Sequence, residues 1–422
     1  MAKSNKDFFK CKKNWSEIKD SLLGCYLPPY FQKVLMTRRP ILYIDCFAGK
    51  GKFEDGKPGS PLIALEARDA CLNRSRVDYC GNSPIETCFI DLNYAADLQV
   101  NTAPFNNACG TPKIISGRYE NEITKQLANK SRNNVFLYID PYGIKALNMD
   151  LFAQFKTFGF SSFEMLINFN SFGFFRDACQ VMSVNCDNDE AFSDLSELVE
   201  YEPTQVSASK QSEELLNQVA GGDYWKAIVK DYNDGKINGY QAEKRLSAEY
   251  KQQLKKLYNY VLDMPVRLKP GQRPKYRMIH VCDHEDGCYL MAENMQRRKE
   301  ELFLDIQQGG QLNIFDSLDS GYSSSVEGDL ITKEEITNLV VESLRKAPME
   351  IRLTKFLAGF VNENGLLCQF SEIHSILEDL SVRGLIQIIR NPAYRKNSTK
   401  PTTFWSEKES EGKTITIRRV QL

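Results

Sequence analysis

Between residues 41 and 169 one pattern recurs five times: a short apolar run that ends in an acid or a turn, with helical stretches in between. The runs are Ile41-Leu42-Tyr43-Ile44-Asp45, Thr87 to Ile90 before Asp91, Lys113-Ile114-Ile115 before Gly117, Asn134 to Ile139 before Asp140-Pro141-Tyr142-Gly143, and Glu164 to Phe169. Continuous apolar runs mean strands covered on both faces, and intervening helices mean parallel pairing. The expected fold class is α/β, with a parallel sheet. Ser60-Pro61 has N-cap and N1 character and opens one of the helices, and others are expected near 119–130 and 147–157.

The alternation does not extend over the whole chain. Residues 1–40 form an N-terminal helical segment, with Trp15, Ile18, Leu22, Leu23 and Tyr26 at helical spacing until Pro28-Pro29, where the helix is expected to break. Residues 41–171 hold the first part of the core. Residues 172–262 read as a helical insertion, acidic at first and then rich in Lys, Glu, Gln and Tyr. Residues 263–305 return to the core as closing strands and a helix. The stretch 306–330 is Gly/Ser/Asp-rich and reads as a linker. In 331–422, helices at 333–346, 352–361 and 371–383 precede two expected strands, Leu385 to Arg390 and Thr402 to Trp405, which is a winged-helix-like order.

Charge and cysteine usage narrow the class. Fifty-four Lys+Arg against 55 Asp+Glu leave a net charge of −1, so an anionic partner must be held by a local patch. No apolar run approaches the roughly 18 residues of a membrane span. The basic start leads into no apolar h-region, so no secretory signal is expected. The twelve cysteines contain no CxxC pair and often sit in apolar runs; they read as reduced thiols in a cytoplasmic protein.

The chemistry-bearing motifs fall at strand ends. The first is Asp45-Cys46-Phe47-Ala48-Gly49-Lys50-Gly51, whose glycines let backbone pass close to a ligand. The stretch Gly51 to Pro58 nearly fits a phosphate-binding P-loop, but Pro58 stands where Ser or Thr must hold magnesium, and a proline removes an N–H from the cradle. DxFAGxG instead resembles the first motif of S-adenosyl-L-methionine (SAM) methyltransferases. That resemblance implies a glycine turn under the methionine part of SAM, and an acid at the end of the second strand, here Asp91, accepting from the ribose hydroxyls. Asp91 comes 46 residues after Asp45, a wide gap that the loop 52–60 partly fills. The expected cofactor-binding set is Asp45, Phe47, Ala48, Gly49, Gly51, Ser60, Asp91 and Gly117. The third strand's turn carries no acid, and Arg118 or Tyr119 is a candidate to cover the adenine instead.

The second motif, Asp140-Pro141-Tyr142-Gly143, resembles the (Asp/Asn)-Pro-Pro-aromatic motif of amino-methyltransferases, and more closely the DPFG version of a tRNA guanine N2-methyltransferase family. It departs from the commoner form in having one proline and its aromatic third. The resemblance implies that Asp140 and the Pro141 carbonyl accept hydrogen bonds from an exocyclic NH2 while Tyr142 stacks on the base. Asp140, Pro141 and Tyr142 are thus the expected catalytic residues. Ligands of an open parallel sheet bind at the carboxyl ends of its strands, so both motifs can line one crevice.

His280, Cys282, His284 and Cys288 have zinc-compatible residue types, but a cysteine in a closing strand is more commonly core, and no metal is assigned. The basic run Arg267, Lys269, Arg273, Lys275 and Arg277, and the later turn with Arg395 and Lys396, are candidate nucleic-acid contacts.

Taken in order, YIDCFAGKGKF, GSPLIAL, FLYIDPYG, YRMIHVCDHEDGCYLM and the Gly-Gly-Gln-Leu-Asn-Ile-Phe near residue 310 resemble the three-Cys-motif partner family over roughly residues 10–315. The resemblance implies a bacterial protein with a Rossmann-like SAM-methyltransferase core and a separate partner protein carrying a radical-SAM-like three-cysteine motif. It supplies no substrate. The expectation is a SAM-dependent methyltransferase acting on an exocyclic amino group of a nucleic-acid base. The alternative is a non-catalytic or SAM-binding adaptor for the partner enzyme.

Overall fold

The computed structural model describes residues 12, 14–74, 83–186, 189, 191, 206–266, 274, 276–308, 322–324, 330–408 and 411–422. The chain divides into two compact units, Met1–Leu268 with Gln272–Asp283, and Lys269–Gly271 with His284–Leu422.

The first unit is an α/β unit built on a seven-stranded, mostly parallel sheet, compatible with a Rossmann-like core. Its strands are β1 (Ile41–Asp45), β2 (Ile85–Asp91), β3 (Lys113–Ser116), β4 (Asn134–Ile139), β5 (Ser162–Phe169), β6 (Tyr260–Val266) and β7 (Tyr276–Cys282), in the order β3-β2-β1-β4-β5-β7-β6. The first five pair in parallel, and β7 runs antiparallel to both β5 and β6. Every residue of β1 and β4 is buried, which is why these strands read as unbroken apolar runs. β6 begins inside the segment expected to be helical throughout; its alternating Val261, Asp263 and Pro265 gave no continuous apolar run.

The helix α1 (Asn14–Leu35) passes through Pro28 and Pro29 instead of ending there. A proline inside a helix costs about 3 kcal/mol or more. Against that, Tyr26, Leu27, Tyr30 and Phe31 are all buried. Four such side chains contribute about 1.5–3 kcal/mol each, so tertiary packing overrides the local break. Tyr26 also donates to Glu164 of β5, whose Oε2 lies 2.9 Å from His280 Nε2 on β7. His280 and Cys282 are thus buried residues of the closing strand.

Helices α2 (Ser60–Arg74), α3 (Ala95–Thr102), α4 (Tyr119–Leu127) and α5 (Met149–Phe155) connect the parallel strands, and among the described residues between β5 and β6 lie α6 (Ser171–Val181), α7 (Lys210–Ala220), α8 (Tyr224–Asn233) and α9 (Gly239–Leu257). Arg277, expected as a phosphate contact, is instead buried and fastens α9 to the sheet. Its Nε lies 2.7 Å from Glu243 Oε1 and its Nη1 2.8 Å from Asp263 Oδ2. Burial works to raise the Asp263 carboxyl, but Lys251 and Arg277 outweigh it and hold it well below its ordinary value. The other candidates of that run, Arg267, Lys269, Arg273 and Lys275, lie outside the described residues.

The second unit contains α10 (Glu285–Gln308), the short pair β8 (Tyr322–Ser324) and β9 (Leu330–Thr332), α11 (Lys333–Lys346), β10 (Glu350–Arg352), α12 (Leu353–Asn364), α13 (Phe370–Val382), β11 (Ile386–Asn391) and β12 (Thr414–Arg419). The helix α10, expected with the core, falls in this unit, where Tyr289 stacks on Phe370 at 4.8 Å and Lys299 Nζ donates to the Leu366 carbonyl at 2.7 Å. Most of the expected linker, 309–321 and 325–329, lies outside the described residues. The strand expected at Thr402 to Trp405 is not one; β11 pairs with β12. Ile415 and Ile417 alternate into the core from β12, whereas Trp405 stacks on His374 at 4.3 Å.

Candidate functional site

The strand order reverses between β1 and β4, which places a crevice at their carboxyl ends. Asp45 closes β1 and Asp140 follows β4 directly. Asp45 is fully buried. Its Oδ1 accepts the Phe47 N–H at 3.2 Å, and Ser60, the first residue of α2 (Ser60–Arg74), stands beside the carboxyl. Its Oδ2 is buried and lacks a hydrogen-bond partner in the protein. Burial, reinforced by Asp140 and Asp20, pushes this carboxyl up to about 7, although the neighbouring Ser60 hydroxyl and the Phe47 N–H pull the other way.

After Asp45 the chain bends through Gly49 and Gly51, at φ of 59° and 78°. At Gly51 a Cβ would also lie 2.9 Å from Leu98 Cδ1. These two positions require glycine for conformation, and Gly51 for space as well. The bend is tied down by Asp91: its Oδ2 accepts the Gly49 N–H at 2.9 Å, and its Oδ1 accepts the Asn93 and Tyr94 N–H groups at 2.8 and 2.7 Å. A carboxylate offers about four acceptor positions, so Asp91 keeps roughly one for any ligand. Its three bonds are all to backbone, one to the glycine bend and two to the turn that follows β2.

Asp140 is held from two sides. Asn168 of β5 donates to its Oδ1 at 2.6 Å, and Lys19 of α1 lies 2.7 Å from its Oδ2. The Tyr138 hydroxyl is a weaker third neighbour at 3.4 Å. Lys19 is buried and also sits 5.3 Å from the centre of the Tyr276 ring. Beside it, Asp20 pairs with Lys12 at 2.6 Å; burial, against the pull of both lysines, leaves the Asp20 carboxyl raised to about 6. The start of α1 is anchored to the loop after the glycine bend, with Lys12 N–H on Asp55 Oδ2 at 3.0 Å and Lys12 Nζ on the Pro58 carbonyl at 2.7 Å. Four carboxylates (Asp20, Asp45, Asp91 and Asp140) and two lysines (Lys12 and Lys19) therefore gather at the strand ends. Perturbed acids in such a cluster are characteristic of functional sites.

Of the residues expected from sequence, Asp45, Gly49, Gly51, Ser60, Asp91 and Asp140 gather at this edge, while Pro141 and Tyr142 follow Asp140 and are half-buried. Phe47 packs on Tyr119 with ring centres 5.3 Å apart, and the Ala48 N–H donates to the Ile90 carbonyl at 3.0 Å. The Gly117 N–H donates to the Asp91 carbonyl at 3.1 Å. Tyr119 is buried in the core cluster rather than lying open as an adenine cover, and Arg118 is exposed. Arg395 and Lys396 lie in the second unit, exposed in the turn that follows β11. Among the described residues, no group of three or more His, Cys, Asp or Glu is arranged to hold a metal.

Sequence reasoning missed Lys12, Lys19, Asp20 and Asn168. A signal existed for Lys19: Ser16, Lys19, Leu23, Tyr26 and Tyr30 follow helical spacing, so a lysine stands on the apolar stripe of α1. A long charged side chain on a buried stripe needs a buried partner.

Comparison of the chain with protein-family models finds no match, and comparison with curated proteins finds none either.

Proposed function

We propose that this protein is a SAM-dependent methyltransferase acting on an exocyclic amino group of a nucleic-acid base. The observation that carries the reading is Asp45: a fully buried carboxyl, beside a two-glycine bend, with one oxygen that no protein group satisfies. Buried polar atoms are ordinarily satisfied, so an orphan at a sheet's switch point suits a ligand donor. The α-ammonium of SAM is such a donor. Gly49 and Gly51 would leave room for its methionine part, Ser60 at the start of α2 would lie near its carboxylate, and the remaining acceptor position of Asp91 would take a ribose hydroxyl.

Bound SAM would supply an electrophilic methyl group. Asp140 and the Pro141 carbonyl would each accept an N–H of the target amino group, which aims the nitrogen lone pair. Tyr142 would stack on the base. The protein's contribution is alignment and exclusion of water. A base inside a duplex would have to be flipped out. The order α11, β10, α12, α13, β11, β12 supports reading the second unit as a winged helix, with Arg395 and Lys396 on its exposed turn contacting phosphates. The resemblance to the three-Cys-motif partner family adds a radical-SAM-like enzyme as partner, and the scattered cysteines, none in a CxxC pair, suit a cytoplasmic setting.

The pairing of Lys19 with Asp140 favours a second reading. A carboxylate already holding an ammonium suits a SAM-binding adaptor that presents its cargo to another enzyme. Calorimetric titration with SAM, then transfer of tritiated methyl to total RNA and DNA, separates the two. The methyltransferase reading expects transfer by the wild type, and Asp140→Ala abolishing it with SAM affinity nearly intact. Normal transfer by Asp140→Ala removes the assigned role, and tight SAM binding with no transfer favours the adaptor.

A further inference from the structure

We infer that Lys19 is a positioning residue for Asp140, so that the N-terminal helix forms part of the amine-accepting half of the site. The inference rests on the methyltransferase reading for its kinetic consequence, but the pair itself is geometric. The Lys19 side chain is only 7% exposed and its Nζ stands 2.7 Å from Asp140 Oδ2. Burying an ammonium is unfavourable unless it is paired, and an apolar residue would serve the packing of α1 at that stripe position. Packing therefore gives no reason for a lysine there; the Asp140 carboxylate does.

The geometry explains what the lysine achieves. Asn168 takes one oxygen of Asp140 at 2.6 Å and Lys19 the other. Two donors on opposite oxygens fix the plane of a carboxylate, and the Asp140 side chain remains 21% exposed. With the Tyr138 hydroxyl 3.4 Å from the same Oδ2, about one of the four acceptor positions is left for a further N–H donor, matching an NH2 group whose second hydrogen would go to the Pro141 carbonyl. Without Lys19 the carboxylate is released on one side and the amine lone pair loses its aim. Tyr276 backs the ammonium through its ring face and limits its movement.

Lys19→Gln and Lys19→Arg test this in the full-length chain. For Lys19→Gln, kcat for methyl transfer is expected to fall by about 10²-fold, with the SAM dissociation constant and the KM for nucleic acid within about threefold of wild type. Lys19→Arg should recover most of the loss, since it restores a cation within reach of the carboxylate. Unchanged kcat in Lys19→Gln, or equal loss in both variants, overturns the inference. A thermal-unfolding cycle supplies a readout that needs no activity. Lys19→Gln should lower the melting temperature by more in the wild type than in an Asp140→Asn background. Additive shifts would show that the two residues do not act as a pair. Absence of methyl transfer by the wild type would instead defeat the methyltransferase reading, and the cycle would still decide whether Lys19 holds Asp140.

Discussion

The backbone N–H of Gly49 donates to Asp91 Oδ2 at 2.9 Å, so the bend after β1 is tied to the end of β2 by a side chain. Asp91→Ala strands three N–H groups, those of Gly49, Asn93 and Tyr94. Hydrogen bonds to charged groups contribute about 1.5–3 kcal/mol each, and water will replace some of them. Chemical denaturation should show a loss of about 2–4 kcal/mol, with a smaller loss for Asp91→Asn. A variant as stable as wild type would mean that Asp91 serves a ligand only.

Gly51→Ala should destabilise the first unit and weaken SAM binding together. The added methyl would stand 2.9 Å from Leu98 Cδ1, at a φ of 78° that disfavours any side chain. Gly56→Ala is the control: its φ is 87°, but nothing lies within 4 Å of the added Cβ. Strain alone costs about 1 kcal/mol, and the contact should add a similar amount at Gly51 only. Equal urea midpoints for the two variants would contradict the close approach.

Asp45 should make stability fall as pH rises. Burial, the main cause, raises its carboxyl from 3.8 to about 7 in the folded protein. Between about pH 4 and 7 the folded state therefore binds a proton that the unfolded chain has lost, and stability declines through that window. At about 1.4 kcal/mol per unit the effect reaches at most about 4 kcal/mol. Asp45→Asn escapes it. Its melting temperature should match wild type near pH 4 and exceed it near pH 8. A difference that stays constant with pH would refute the burial-driven shift.

The exposed turn after β11 should bind phosphates without reading sequence. Arg395→Glu with Lys396→Glu is expected to weaken RNA or DNA binding similarly across sequences and to reduce the salt slope by about 2. Fluorescence anisotropy at several salt concentrations measures both. An unaltered slope would remove these residues from the interface.

The alternation of strand and helix was legible because parallel strands are buried on both faces and need continuous apolar runs. Glycines, Asp45 and Asp140 were legible because turns at strand ends use few residue types. The path of α1 was not, since Pro28 and Pro29 are strong local signals, and only the burial of Tyr26 and Tyr30 overrides them. Arg277 was misread for a related reason. A basic run looks alike whether it faces solvent or, as here, Glu243 and Asp263.

Local pattern alone determined that this chain builds an α/β sheet with acids and glycines at its strand ends, because those choices depend on neighbours a few residues away. Tertiary structure alone decided that Lys19 meets Asp140, 121 residues further along, and that Asp45 keeps a buried oxygen without a protein partner. Such pairings depend on which elements the fold stacks together. No short stretch of sequence encodes that, since the energy that selects it comes from the whole core.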